Sequence, residues 1–115
     1  MSKVDFTAMR AAMVASQLRT SDVNDLAVIA VMASVAREDF VPADRQETCY
    51  IDRAIPLGNG ARMNPPLATG RLLTTAQISA GDKVLLLGDA TGYTTALLNA
   101  MGAKITGAGT PVISI

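Results

Sequence analysis

The 115-residue chain contains no histidine, a single cysteine and only 3% aromatic residues. Without histidine it lacks the commonest general base and metal ligand, which excludes Ser-His-Asp triads and the usual zinc sites. Cys49 alone cannot close an internal disulfide, a pattern that suits a reducing, cytoplasmic setting. Ten basic and ten acidic side chains give zero net charge, and the basic ones are scattered from Lys3 to Lys104. With no basic stripe and few rings for bases to stack on, no nucleic-acid partner is expected. No uninterrupted apolar run approaches the ~20 residues that a membrane-spanning helix needs. The opening stretch MSKVDFTAMR carries no apolar segment ahead of a small-residue cleavage site, so neither a membrane nor a secretory route is expected.

What is present is one domain's worth of sequence, half of it apolar. Phe6, Met9, Met13 and Leu18 recur at near-helical spacing and predict a helix over Asp5–Leu18, ended by Thr20 and Ser21. Asn24 or Asp25 is a good N-cap for a second helix running through Ala36. Its Leu26, Val28, Ile29, Val31, Met32 and Val35 cover more than one face, so heavy burial is expected. Residues 43–60 read as loop, with at most a short helix at 43–48. Asn64 before Pro65 then signals the start of a third helix, whose apolar face would be Leu67, Leu72, Leu73 and Ala76.

After the Gly81-Asp82 turn the period changes. Lys83-Val-Leu-Leu-Leu87 is a short apolar run of the kind expected of a fully buried parallel strand. Gly88-Asp-Ala-Thr-Gly92 makes a tight turn, Tyr93–Met101 a helix with Gly102 at its C′ position, and Lys104-Ile-Thr106 a second strand. This is a βαβ unit, which places the chain among α/β folds. The segment 107–115 adds one more apolar fragment. Two strands do not complete such a sheet, so the pattern is that of an α/β domain truncated after its first βαβ unit, or one whose remaining strands another chain supplies.

Two segments can carry chemistry. In Val84–Tyr93, glycines let the backbone approach a ligand, and the following helix offers N–H groups at its N-terminus. In Pro56–Pro66, Gly58 and Gly60 permit left-handed backbone, while Arg62 and Asn64 offer polar groups. Either segment is also consistent with a purely structural turn. Cys49 and the Asp52-Arg53 pair read as structural.

Taken together, four stretches resemble the protein-L-isoaspartate O-methyltransferase family over nearly the whole chain. They are Met9–Arg19, Arg37-Glu-Asp-Phe-Val-Pro42, Tyr50–Gly60 and Val84–Tyr93, in the family's order and separation. The resemblance implies a Rossmann-like fold that uses S-adenosylmethionine to methylate a carboxylate of isoaspartyl residues in damaged proteins. It assigns residues 1–60 to the helical segment and active-site loop, and 61–115 to the start of the methyltransferase domain, in one continuous unit. It carries Gly60, Arg62 and Asn64 into the reacting loop, and Gly88, Asp89, Thr91 and Gly92 into the cofactor turn. The chain departs from the family pattern in three places. Arg62 and Asn64 stand where the loop commonly has Thr and Ser, and Ala90 replaces the middle glycine of the turn. The ribose-binding acid would fall near Gly109, where there is no carboxylate. A non-catalytic interaction module is therefore the second expectation, with self-association through the open sheet edge.

Overall fold

The computed structural model describes residues 4–58 and 60–106; the segment 107–115, including the position near Gly109, lies outside them. Helix α1 spans Phe6–Met13, capped by the Asp5 carboxylate, which accepts from the Ala8 amide at 3.0 Å. It continues as a wider π-type turn over Val14–Leu18 and a tighter 3-10 turn over Arg19–Ser21. Asp22 then reverses the chain at φ 67°. Helix α2, Leu26–Ser34, starts at Asp25, whose carboxylate accepts from the amides of Ala27 and Val28. It stops two residues before the expected Ala36, because Val35 is already extended. Val28, Ile29, Val31 and Met32 are buried as expected, but Leu26 is 79% exposed at the first turn.

The short helix expected at 43–48 is present as a 3-10 turn, and the loop expected after it holds a hairpin. Two 3-10 turns, Arg37–Phe40 and Ala43–Thr48, lead into a hairpin of β1 (Ile55–Gly58) and β2 (Ala61–Met63). Ile55 pairs with Met63 and Pro56 with Arg62, with an irregularity before Gly58. Pro56 and two glycines disguise the strands in sequence. The register buries Ile55 and Met63 together on one face, and that burial outweighs the turn signals.

Helix α3 is Pro66–Ala76, with Pro65 rather than Asn64 at its N-cap. The expected Asn64 cap is thus displaced by one residue. The two prolines remove two amides that would need partners, and the Leu67 amide is satisfied by the carboxylate of Asp52 at 3.0 Å. The buried face also differs from expectation: it is Pro66, Thr69, Gly70 and Leu73, while Leu72 is 55% exposed. Gly70 explains the rotation. A β-carbon there would lie 3.2 Å from Leu18 Cδ2 and 3.3 Å from Val23 Cγ1, so the missing side chain lets α3 seat directly on the first helical segment.

Strand β3 (Lys83–Leu85) pairs in parallel with β4 (Lys104–Thr106), connected by α4 (Tyr93–Ala100). Gly102, at φ 85°, ends α4 as expected. The strand is not fully buried. Val84 and Leu86 pack on the core, whereas Leu85 and Leu87 are 68% and 58% exposed. Side chains alternate across a strand, and among the described residues only one face of this pair is covered by helices. A single apolar core joins Met13, Leu18, Val28 and Met32 of the first helices to Leu73 of α3 and to Leu97 and Leu98 of α4. No described helix is long and apolar enough to cross a membrane.

Candidate functional site

The end of β2 and the turn after β3 meet in space. Arg62, Met63 and Asn64 face Leu86–Thr91 across a cavity of about 100 Å³, closed on its other sides by Thr69 and Leu72 of α3 and by Tyr93 and Thr94 of α4. Five of the seven residues singled out from the sequence therefore line one cleft: Arg62, Asn64, Gly88, Asp89 and Thr91. Gly60 does not. It sits at the hairpin tip with φ 76° and borders a separate shallow depression with Ala54, Pro56 and Gly58. Gly92 is outside the lining as well. Its φ of 83° makes it the N-cap of α4.

The turn is built by its own side chains. Gly88 and Gly92 both take positive φ, which bends the backbone from strand to helix within four residues. Asp89 is buried, and its Oδ2 accepts from the Thr95 amide at 2.8 Å and the Thr95 hydroxyl at 2.6 Å. Thr91 Oγ1 accepts from the Tyr93 amide at 3.2 Å. These two side chains occupy N–H groups that the sequence reading left free for a ligand, so the N-terminus of α4 is largely capped from within. Leu72, Thr69 and Tyr93 were not anticipated as lining. A leucine at that point of α3 reads as core by its period, and its exposure depends on where Gly70 seats the helix.

Behind the cleft lies a polar cluster that the sequence conceals. Arg37 is completely buried. Its Nε donates to the Cys49 carbonyl at 2.5 Å and its Nη2 to the Asn64 carbonyl at 2.9 Å. Its Cζ lies 4.9 Å from the centroid of the Tyr93 ring. Burial pulls the guanidinium below its ordinary value, opposed by the neighbouring Tyr93 phenol; burial pushes the Tyr93 hydroxyl up, opposed by Arg37. Among the described residues both Arg37 Nη1 and the Tyr93 hydroxyl are without a hydrogen-bond partner. Burial also pushes the Cys49 thiol up to about 11, leaving it a poor nucleophile at neutral pH.

Alongside, Glu38 forms an ion pair with Arg10 at 3.0 Å and accepts from the Tyr50 hydroxyl. That hydroxyl in turn accepts from Arg10 Nε at 2.8 Å and from the Arg37 amide at 3.1 Å. Burial alone would raise Glu38, but the hydrogen bonds from Tyr50 and Arg10 prevail and hold its carboxyl below the ordinary value. The only hint in sequence was the Arg37–Pro42 stretch. A charged triplet after an apolar helix otherwise reads as solvated surface.

Comparison with known proteins agrees with this geometry. The family model for protein-L-isoaspartate(D-aspartate) O-methyltransferase matches residues 9–115. The protein-L-isoaspartate O-methyltransferase of Koribacter versatilis (strain Ellin345) is 39% identical over 100 residues, covering 87% of this chain and 45% of the relative. The corresponding protein 1 of Rhodopseudomonas palustris (strain HaA2) is 33% identical over 101 residues, covering 88% and 41%. This chain thus spans less than half the length of these curated relatives. Among solved structures, one described as a putative protein-L-isoaspartate O-methyltransferase from Plasmodium falciparum, in complex with S-adenosyl-L-homocysteine, superposes with a TM-score of 0.70. It is 18% identical, over 91% of this chain and 49% of that one. A second protein-L-isoaspartate O-methyltransferase superposes at 0.67, with 19% identity, over 84% and 32%. The fold is accordingly the Rossmann-like methyltransferase fold, represented here by its N-terminal helices and first βαβ unit. With the family model matched from Met9 onward and the hairpin loop meeting the glycine turn in one cleft, the chain belongs to the protein-L-isoaspartate O-methyltransferase family.

Proposed function

We propose that this chain provides one wall of an S-adenosylmethionine-dependent carboxyl methyltransferase site that acts on isoaspartyl residues in proteins. The observation that carries the reading is the cleft in which Arg62 and Asn64 stand opposite Gly88, Asp89 and Thr91. In this reading residues 61–115 carry the cofactor turn, and residues 1–60 frame it within one continuous unit.

The sulfonium cofactor supplies an electrophilic methyl group, so the accepting carboxylate needs placement more than activation. Arg62 is exposed at the cleft and presents a guanidinium that can take a carboxylate in a two-pronged pair. The Asn64 side-chain amide can donate a hydrogen bond to the same group. Gly88, with no side chain and positive φ, leaves the backbone open to a ligand, whereas the Ala90 methyl narrows the turn. A cavity of about 100 Å³ is well below the roughly 300–1,000 Å³ of a complete small-molecule pocket, which fits one wall rather than a closed site. Self-association through the open edge of the β3–β4 pair belongs to the same reading, favoured by the exposed Leu85 side chain beside it.

Calorimetric titration with S-adenosylmethionine, followed by transfer of a radiolabelled methyl to an isoaspartyl peptide, tests the reading. Binding is expected, with Arg62→Ala raising the KM for peptide roughly tenfold if it meets the substrate carboxylate. No heat at millimolar ligand, in chain shown by circular dichroism to be folded, would sink the proposal.

A further inference from the structure

The cluster behind the cleft raises a physical question. Among the described residues Arg37 is a fully buried cation with no carboxylate paired to it; its charge is met by two backbone carbonyls and the face of a ring. Among the described residues the recorded ion pair is Arg10–Glu38, not one with Arg37. Burying an ion is costly, and a neutral donor could satisfy one carbonyl at lower cost. What only a guanidinium offers is a rigid planar fork, able to reach carbonyls on two different segments while its face lies on an aromatic ring.

Those contacts are distributed in a telling way. The Asn64 carbonyl belongs to the end of the hairpin loop, and the Tyr93 ring to the first residue of α4 after the glycine turn. Asn64 and Tyr93 both line the cleft. The Cys49 carbonyl anchors the fork to the segment entering the hairpin, and the Arg37 amide is itself held by the Tyr50 hydroxyl. We propose that Arg37 is a positioning residue that sets the spacing between the Asn64 loop and the Gly88–Tyr93 turn, and so the width of the ligand cleft. It touches neither ligand nor reacting atoms; it acts through Asn64 and Tyr93. The ligand side of this inference rests on the cofactor reading above, whereas the clamp itself rests on the geometry alone.

The test uses the 115-residue chain with S-adenosylhomocysteine as the probe. Arg37→Lys keeps the charge and loses the fork. It is expected to weaken probe binding at least tenfold at a temperature where the variant is folded. Amide hydrogen exchange should accelerate in 62–66 and 91–94, but not in α2. Glu38→Gln, which disturbs the adjoining Arg10–Tyr50 network, serves as the comparison: it should lower Tm yet leave probe affinity within about twofold. An Arg37→Lys chain that loses Tm like Glu38→Gln while keeping its affinity and its exchange pattern overturns the clamp.

If the wild-type chain binds no probe, the cofactor reading fails, and the exchange pattern alone decides for or against Arg37. Should Arg37→Lys not fold, the wild-type Arg37 Nε–H resonance carries the test. It should exchange far more slowly than that of exposed Arg19, and it should shift when the probe saturates the cleft. An Nε–H as labile as that of Arg19, or one unmoved while the amides of 88–93 shift, likewise overturns the proposal.

Discussion

Residues 37–50 and residues 83–87 reverse the usual rule of what a folded chain hides. In the first stretch two charged side chains, Arg37 and Glu38, are buried; in the second, Leu85 and Leu87 stand more than half exposed. Side-chain polarity does not decide between them. Two carbonyls take the Nε and Nη2 donors of Arg37 and a ring lies against its face, and Glu38 is met by a tyrosine and an arginine, so each can leave water. Leu85 of β3 faces a side of the strand pair left bare among the described residues, and Leu87, just past the strand, borders the open cleft. Burial here follows the neighbours a residue finds, and the two stretches differ in having them.

The sharpest way to break that comparison is to truncate leucines on the two sides. Leu97 is wholly buried between the sheet and the first helices. Leu97→Ala should cost about 2–5 kcal/mol, because it leaves a cavity as well as losing transfer energy. Leu87→Ala should cost no more than about 0.5 kcal/mol. Denaturant midpoints at unchanged slope would measure both. A large loss at Leu87 would mean that this exposed leucine at the cleft is covered in solution.

The same contrast explains how far the sequence could be read. Helix periods, the βαβ unit and the family outline were legible, because α1, α2, α4 and the Gly88–Gly92 turn are specified by local patterns. The β1–β2 hairpin was not, since Pro56 and the glycines look like loop and the pairing of Ile55 with Met63 is set by what packs beneath them. The sequence pattern treats the loop of Gly60, Arg62 and Asn64 and the Gly88–Gly92 turn as two segments; that Arg62 and Asn64 border the same cleft as the turn, and Gly60 does not, follows from tertiary packing. The capping roles of Asp89 and Thr91 depend on side-chain direction, which spacing does not encode. Arg37 stands out in the sequence only as part of the Arg37–Pro42 stretch, because no local rule buries a cation.

A second, smaller effect concerns pH. The Glu38 carboxyl is held below its ordinary value of 4.5 by Tyr50 and Arg10 despite burial. A depressed carboxyl contributes stability that is fully present above the unfolded value and is lost as pH falls through the folded one. Tm should therefore fall as pH drops below about 4.5, and part of that fall should vanish in Glu38→Gln, measured from pH 6 to 3. An equally steep fall in the variant would place the acid sensitivity elsewhere, and would make Glu38 a packing residue rather than a charge that the fold exploits.

The smallest effect compares the starts of the two helices that flank the cleft. Helix α4 is capped from its own turn by Asp89, six residues before Thr95 in hydrogen-bond terms, whereas α3 is capped from a distance by Asp52, fifteen residues before Leu67. A local cap forms whenever its turn forms. A distant one also ties the segment entering the hairpin to the helix leaving it, and so helps place Asn64. Asp52→Ala should cost about 1 kcal/mol, the usual value for a lost cap. Because Pro65 and Pro66 offer no amides, the loss falls on the Leu67 N–H. Asp52→Asn retains an acceptor oxygen and should recover most of the loss, leaving only a charge–dipole share of about 0.3 kcal/mol. If Asn recovers nothing, the carboxylate's charge rather than its hydrogen bond holds α3, and added salt should then weaken the wild-type chain toward the variant.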